Sequence, residues 1–150
     1  MNETAAPRPA LVGWLGYGGL IPFATLAALT CLDAERRLFW GDALAAYGAV
    51  ILSFVGALHW AFAMTLAGLG TARRAAFFVW SVIPSLIAWL ALLLHSAWSD
   101  VLLSAGFILH YAQDRRLAAL GPLPAWYLPL RLRLSIVAVF CLSVSAVVVS

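Results

Sequence analysis

A chain of 150 residues has the length of one domain. Its residues are 65% hydrophobic and 10% charged, against about a quarter charged in soluble proteins. That is more apolar surface than a soluble fold of this size can bury. The net charge of +3 sits beside apolar stretches rather than on one basic helix or patch, which argues against a nucleic-acid partner and for a lipid bilayer.

The predicted fold is an all-α membrane protein, an antiparallel bundle of five transmembrane helices forming a single domain over residues 1–150. Crossing about 30 Å of hydrocarbon takes about 20 helical residues. The first span, Leu11–Leu32, follows a polar flank carrying Arg8 and two prolines. It is longer than a signal-peptide core and lacks a small-x-small cleavage site, so it reads as a retained span. Gly13, Gly16 and Gly19 form a packing surface on it, and Pro22 bends or interrupts it, freeing a carbonyl one turn back.

The second span, Ala43–Leu69, repeats small residues every four positions at Ala45, Ala49, Ser53 and Ala57, flanked by Gly48 and Gly56. Such a stripe lets another helix approach closely, and it reads as a helix-packing seam matched by the glycines of the first span. The third span is Ala76–Leu94. The fourth is the shortest: Val101–Ala112 must borrow its flanks, to about 98–114, or thin the bilayer locally. The loop Gly121–Leu130, with Pro122, Pro124 and Pro129, interrupts the helical pattern before the last span, Leu134–Val149 (about 132–149). Trp14, Trp40, Trp98, Trp126 and Tyr127 lie near span ends and read as interfacial anchors. Cys31 and Cys141 read as buried apolar thiols.

The basic residues are all arginines, and their placement sets the orientation. Five spans put Arg8, Arg73, Arg74, Arg115, Arg116, Arg131 and Arg133 on one side and only Arg36 and Arg37 on the other. The arginine-rich side is predicted to be inside, with the N-terminus inside and the C-terminus outside. Removing the short fourth span would place Arg131 and Arg133 beside Arg36, so the parity supports five. Arg73, Arg74, Arg115, Arg116, Arg131 and Arg133 are the expected contacts to anionic lipid headgroups.

His59, next to Trp60, stands near the middle of the second span, and an ionisable side chain there is a functional hypothesis by default. Its expected partners are Ser81, Ser85 and the carbonyl freed by Pro84 in the third span; the bland alternative is a register-fixing hydrogen bond. The fourth span ends in His110, Gln113 and Asp114 on one helical face, an ion-pair group expected at the wet inner interface. Haem ligation needs two histidines at one level, and His110 is expected about a turn from His59. Neither a clustered metal-ligand set nor a hydrolase or phosphate-loop motif is evident, so neither metal nor cofactor is expected.

Tyr47-Gly48-Ala49-Val50-Ile51-Leu52-Ser53-Phe54-Val55-Gly56-Ala57-Leu58-His59-Trp60 resembles the hallmark of the domain of unknown function 3429 family (transmembrane protein 69-like). Trp80-Ser81-Val82-Ile83-Pro84-Ser85-Leu86 with Trp89, Tyr111-Ala112-Gln113-Asp114, and Gly121 through Pro124-Ala125-Trp126-Tyr127 to Leu130-Arg131 resemble further signatures, as does Gly16 to Pro22-Phe23. The resemblance implies a small polytopic protein of a bacterial or mitochondrial inner membrane, and no catalytic residue. The absence of an amphipathic transit segment favours the bacterial inner membrane.

The expected function is therefore a non-enzymatic accessory, assembly or structural membrane component that contacts lipid, another membrane protein or a second copy, and no nucleic acid. The alternative is a small transporter or proton-linked carrier with a midplane site around His59, Ser81 and Ser85. Quinone or haem binding ranks below both.

Overall fold

The computed structural model describes residues 10–94, 97–120 and 123–150; Arg8, Gly121 and Pro122 lie outside them. The described residues form helices throughout: α1 (Ala10–Gly18), α2 (Leu20–Leu32), α3 (Arg37–Thr65), α4 (Thr71–Leu93), α5 (Ala97–Ala118) and α6 (Tyr127–Val149). α1 and α2 together make one interrupted rod, so the described residues form five rods. Four of them are long and apolar enough to cross a membrane: 10–32, α3, α4 and α6. α5 has 22 residues, about 33 Å of helix, but the carboxylates and arginines it carries keep it out of that set.

The first rod is interrupted at Gly18–Gly19, one turn before Pro22, which sits in the first turn of α2. There its missing N–H removes the bond that would have reached back to Gly18. Pro129 does not interrupt the last helix either. It occupies the third position of α6, where no intrahelical donor is needed. α5 runs to Ala118, past the predicted end near residue 114, and this shift changes the setting of Asp114.

The seam of α3 differs from the predicted one. Gly41, Ala45, Gly48, Leu52, Val55, His59 and Ala63 are buried, together with Ala49 and Gly56, whereas Ser53 is half-buried and Ala57 exposed. A repeat of four residues drifts about 40° per step around a helix of 3.6 residues per turn, so the stripe from Ala45 leaves the core by Ala57. The first rod does meet α3, as expected: the Tyr47 hydroxyl donates to Gly19 O at 2.8 Å, and a Cβ on Gly48 would lie 3.7 Å from Phe23. The closest approaches are to other helices. A Cβ on Gly56 would lie 2.9 Å from the Pro84 ring, and one on Gly106 would lie 2.6 Å from Leu52. The α3 seam therefore closes on α4 and α5 as well as on the first rod. Gly16 of the first rod instead faces Leu130 and Leu134 of α6.

The main core gathers Phe23, Leu44, Leu52, Leu103, Phe107 and Leu142 from α2, α3, α5 and α6. Many large apolar side chains face outward, Trp14, Phe54, Trp89, Trp98 and Phe140 among them, as lipid contact requires. Cys141 is buried as expected. Cys31 is exposed, because its position on α2 turns it away from the core; both thiols are free.

Candidate functional site: a buried carboxylate cluster

The late part of α3, the late part of α5 and the first turns of α6 meet at one end of the bundle. Asp114 is central there and is fully buried. One carboxylate oxygen, Oδ1, accepts from His59 Nε2 at 2.9 Å and from the Tyr127 hydroxyl at 3.2 Å. The other, Oδ2, accepts from Arg131 Nε at 2.9 Å. His110, one turn before Asp114 on α5, points Nε2 toward Oδ1 from 3.8 Å. From α4, the Trp80 indole N–H donates to His110 Nδ1 at 3.3 Å.

These distances assign the tautomers. A carboxylate only accepts, so His59 Nε2 carries a proton. Trp80 only donates, so His110 Nδ1 is the acceptor and the ring proton lies on Nε2. The pair Asp114–Arg131 is buried and charge-assisted, the geometry in which such hydrogen bonds are strongest. With Trp80, the cluster draws one side chain or more from each of α3, α4, α5 and α6.

Several expectations are corrected here. Asp114 is not at a wet interface: α5 continues for another turn to Ala118, and the carboxylate is fully buried. Arg131 is not free for headgroups, because it is 6% exposed and bonded to Asp114. Tyr127 is a buried donor rather than an interfacial anchor. His59 finds Asp114 instead of Ser81 or Ser85; the Ser81 hydroxyl donates to its own helix at Phe78 O, 2.7 Å away, and Ser85 is half-buried. Gln113 lies outside the cluster and accepts from Arg116 at 3.4 Å. Trp60 is half-exposed, edge-on to Phe78.

The remaining arginines behave in two ways. Arg73, Arg115, Arg116 and Arg133 are exposed, and Arg133 reaches the Tyr17 hydroxyl at 3.3 Å. Arg74 folds back to cap α3, donating to the carbonyls of Ala63 and Leu66.

His59 and His110 lie at the same level, with ring centroids 4.9 Å apart, contrary to the expected one-turn offset. The rings touch edge to face, which leaves no room for a haem between them. The expectation of no clustered metal-ligand set is also corrected, since His59, His110 and Asp114 bring ligand atoms within 4.8 Å of one another. The donor chemistry nevertheless opposes a metal. A ligating imidazole offers a lone pair from one nitrogen and donates the other N–H to an acceptor. Trp80 presents His110 with a donor, and Arg131 already holds the carboxylate. The cluster is wired to hold protons rather than a divalent cation.

A second buried polar group occupies the other end of α5. Asp100 is fully buried and neither oxygen is hydrogen-bonded. Among the described residues the Ser145 hydroxyl of α6 lies beside it outside bonding geometry, and the like charge of Asp42 bears on it. Asp100 is not among the site residues expected from the sequence. Its signal was present, as a carboxylate at the mouth of an apolar stretch with no basic neighbour.

Apolar rods, lipid-facing surfaces and a buried polar cluster centred on Asp114 define a small polytopic helical membrane protein. The profile described as "Protein of unknown function (DUF3429)" matches residues 6–147, and the chain belongs to that family. It is similar to Transmembrane protein 69 of Xenopus tropicalis, 38% identical over 146 residues that cover 91% of this chain and 53% of that protein. The chain thus spans about half the length of that relative. No solved structure matches it.

Proposed function

We propose that this protein is a non-enzymatic, five-span component of a bacterial inner membrane, N-terminus inside and C-terminus outside, that serves as an accessory or assembly partner of another membrane protein. In this reading the Asp114 cluster is a clamp that sets the depth and rotation of the helices, and the outer faces do the recognising. The observation that carries it is Asp114, sealed from solvent and bonded to both α3 and α6. A group this fully satisfied fixes a unique packing. The arginine bias supports the orientation, and placing α5 among the spans follows from its length and from its burial against α3, α4 and α6.

Two measurements test the reading. In a Cys31→Ser background, Glu35→Cys is expected to react with an impermeant maleimide added to intact cells, and Arg73→Cys only after lysis; the reverse pattern refutes the orientation. Crosslinking in native membranes is expected to recover a defined membrane protein. A chain that runs alone after crosslinking refutes the accessory role.

The paired imidazoles beside a carboxylate favour a second reading, a proton-linked carrier whose site is His59, His110 and Asp114 in place of Ser81 and Ser85. Proteoliposomes with an internal pH dye separate the two. Proton entry that depends on the protein and is lost in His59→Leu favours the carrier; entry equal to empty vesicles favours the clamp.

A further inference from the structure

Alongside the cluster, two adjoining cavities of about 120 and 450 Å³ run between the first rod, α3 and α6. They share Gly16, Leu134 and Arg131 in their walls, and the larger lies within the size range of small-molecule sites. The lining is almost wholly apolar. A groove of that kind facing a bilayer says little by itself, and its polar atoms decide what it holds.

Two of them are buried and lack partners. Among the described residues Arg131 Nη2 and Ser135 Oγ make no hydrogen bond, although Arg131 and Ser135 are only 6% and 7% exposed. The residues are one turn apart on α6, and both line the smaller cavity. Buried polar groups in folded proteins are almost always bonded. Two unsatisfied groups in one groove, at hydrogen-bonding positions four residues apart, call for an acceptor that arrives from outside the chain.

The charge of that acceptor follows from the cluster. Arg131 is already neutralised by Asp114, so an anion would add an unpaired charge to a low-dielectric site. A neutral acceptor needs only the donors. Phe23 and Phe107 line the same cavity and meet edge to face, with centroids 6.1 Å apart; such walls receive a flat ring. The larger cavity then continues between apolar side chains to Pro124, Trp126 and Tyr127, with room for a hydrocarbon tail.

We infer that this groove binds an uncharged, bilayer-dissolved amphiphile with a flat carbonyl-bearing head, the chemistry of an isoprenoid quinone. The head sits against Arg131 and Ser135, and the tail lies along α3 and α6. Binding alone is inferred, and it holds whichever role the Asp114 cluster serves.

The full chain in neutral phosphatidylcholine nanodiscs, titrated with decylubiquinone, tests this. Saturable quenching of tryptophan fluorescence and a rising unfolding midpoint are expected. Ser135→Ala is expected to weaken binding about three- to tenfold, the effect of one neutral hydrogen bond. Gly16→Leu, which fills the groove and presses on Leu134 rather than on the cluster, is expected to abolish saturation, with its unliganded midpoint measured alongside. Should that variant fold poorly, Leu134→Phe fills the same space. The inference is overturned if the wild type shows no saturable binding, if the filled variant binds like the wild type, or if phosphatidylglycerol in the disc displaces the probe, which would mark the groove as an anionic headgroup site.

Discussion

Asp114 and Asp100 lie on one helix, about 21 Å apart along its axis, and both are sealed from solvent, yet they are treated in opposite ways. Asp114 accepts from an imidazole, a phenol and a guanidinium. Among the described residues Asp100 has no hydrogen-bond donor, and the charge that bears on it is that of another carboxylate, Asp42. Burial of a carboxylate is therefore no guide to its role. The first joins helices; the second weakens the same bundle at its other end, because a buried charge without partners is costly to hold.

Removing each carboxylate tests this contrast most directly. Asp114→Ala leaves Arg131 buried without a counter-charge and is expected to destabilise by about 3–5 kcal/mol, read as a large fall in the unfolding midpoint in nanodiscs. Pairing it with Arg131→Met is expected to restore part of the loss, since the two residues are coupled. Additive losses would show that the pair is not the clamp. Asp100→Leu is expected to act in the other direction, raising stability by about 1–3 kcal/mol, the penalty of an unsatisfied buried group. If Asp100→Leu destabilises as much as Asp114→Ala, the contrast between the two ends is wrong.

Smaller effects refine it. Trp80→Phe removes the donor to His110 and is expected to cost about 0.5–1.5 kcal/mol; a carrier role would instead show altered proton flux at unchanged stability. Asp33, outside the spans, is the reference case. The Trp40 indole N–H, 3.1 Å away, holds its carboxyl below the usual range. A depressed folded value contributes stability above the unfolded value of about 3.9 and loses it as pH falls through the folded value. Trp40→Phe is expected to bring the Asp33 titration, followed by carboxyl NMR shifts, back toward that value, with a barely measurable change in midpoint.

Much of the architecture was legible because each apolar stretch must match the bilayer thickness and most of the arginines sit at its ends, Arg131 being the buried exception. His59 was recognisable as a buried polar residue for the same reason. Its partner was not. Asp114 is 55 positions away along the chain, and the fourth span, read as ending near residue 114, placed that carboxylate at the water. One further turn of α5 reverses the assignment. The four-residue stripe on α3 misled in a related way, since a small drift in helical phase over three turns exchanges core for lipid.

The sequence alone determined the class of the protein, the helical stretches and the asymmetry of charge, because those depend on local composition and on the thickness of the hydrocarbon. Only the tertiary structure decided which polar side chains meet. Helix rotation, depth and the length of one extra turn select whether a carboxylate finds an arginine, as Asp114 does, or is buried with nothing to accept from, as Asp100 is.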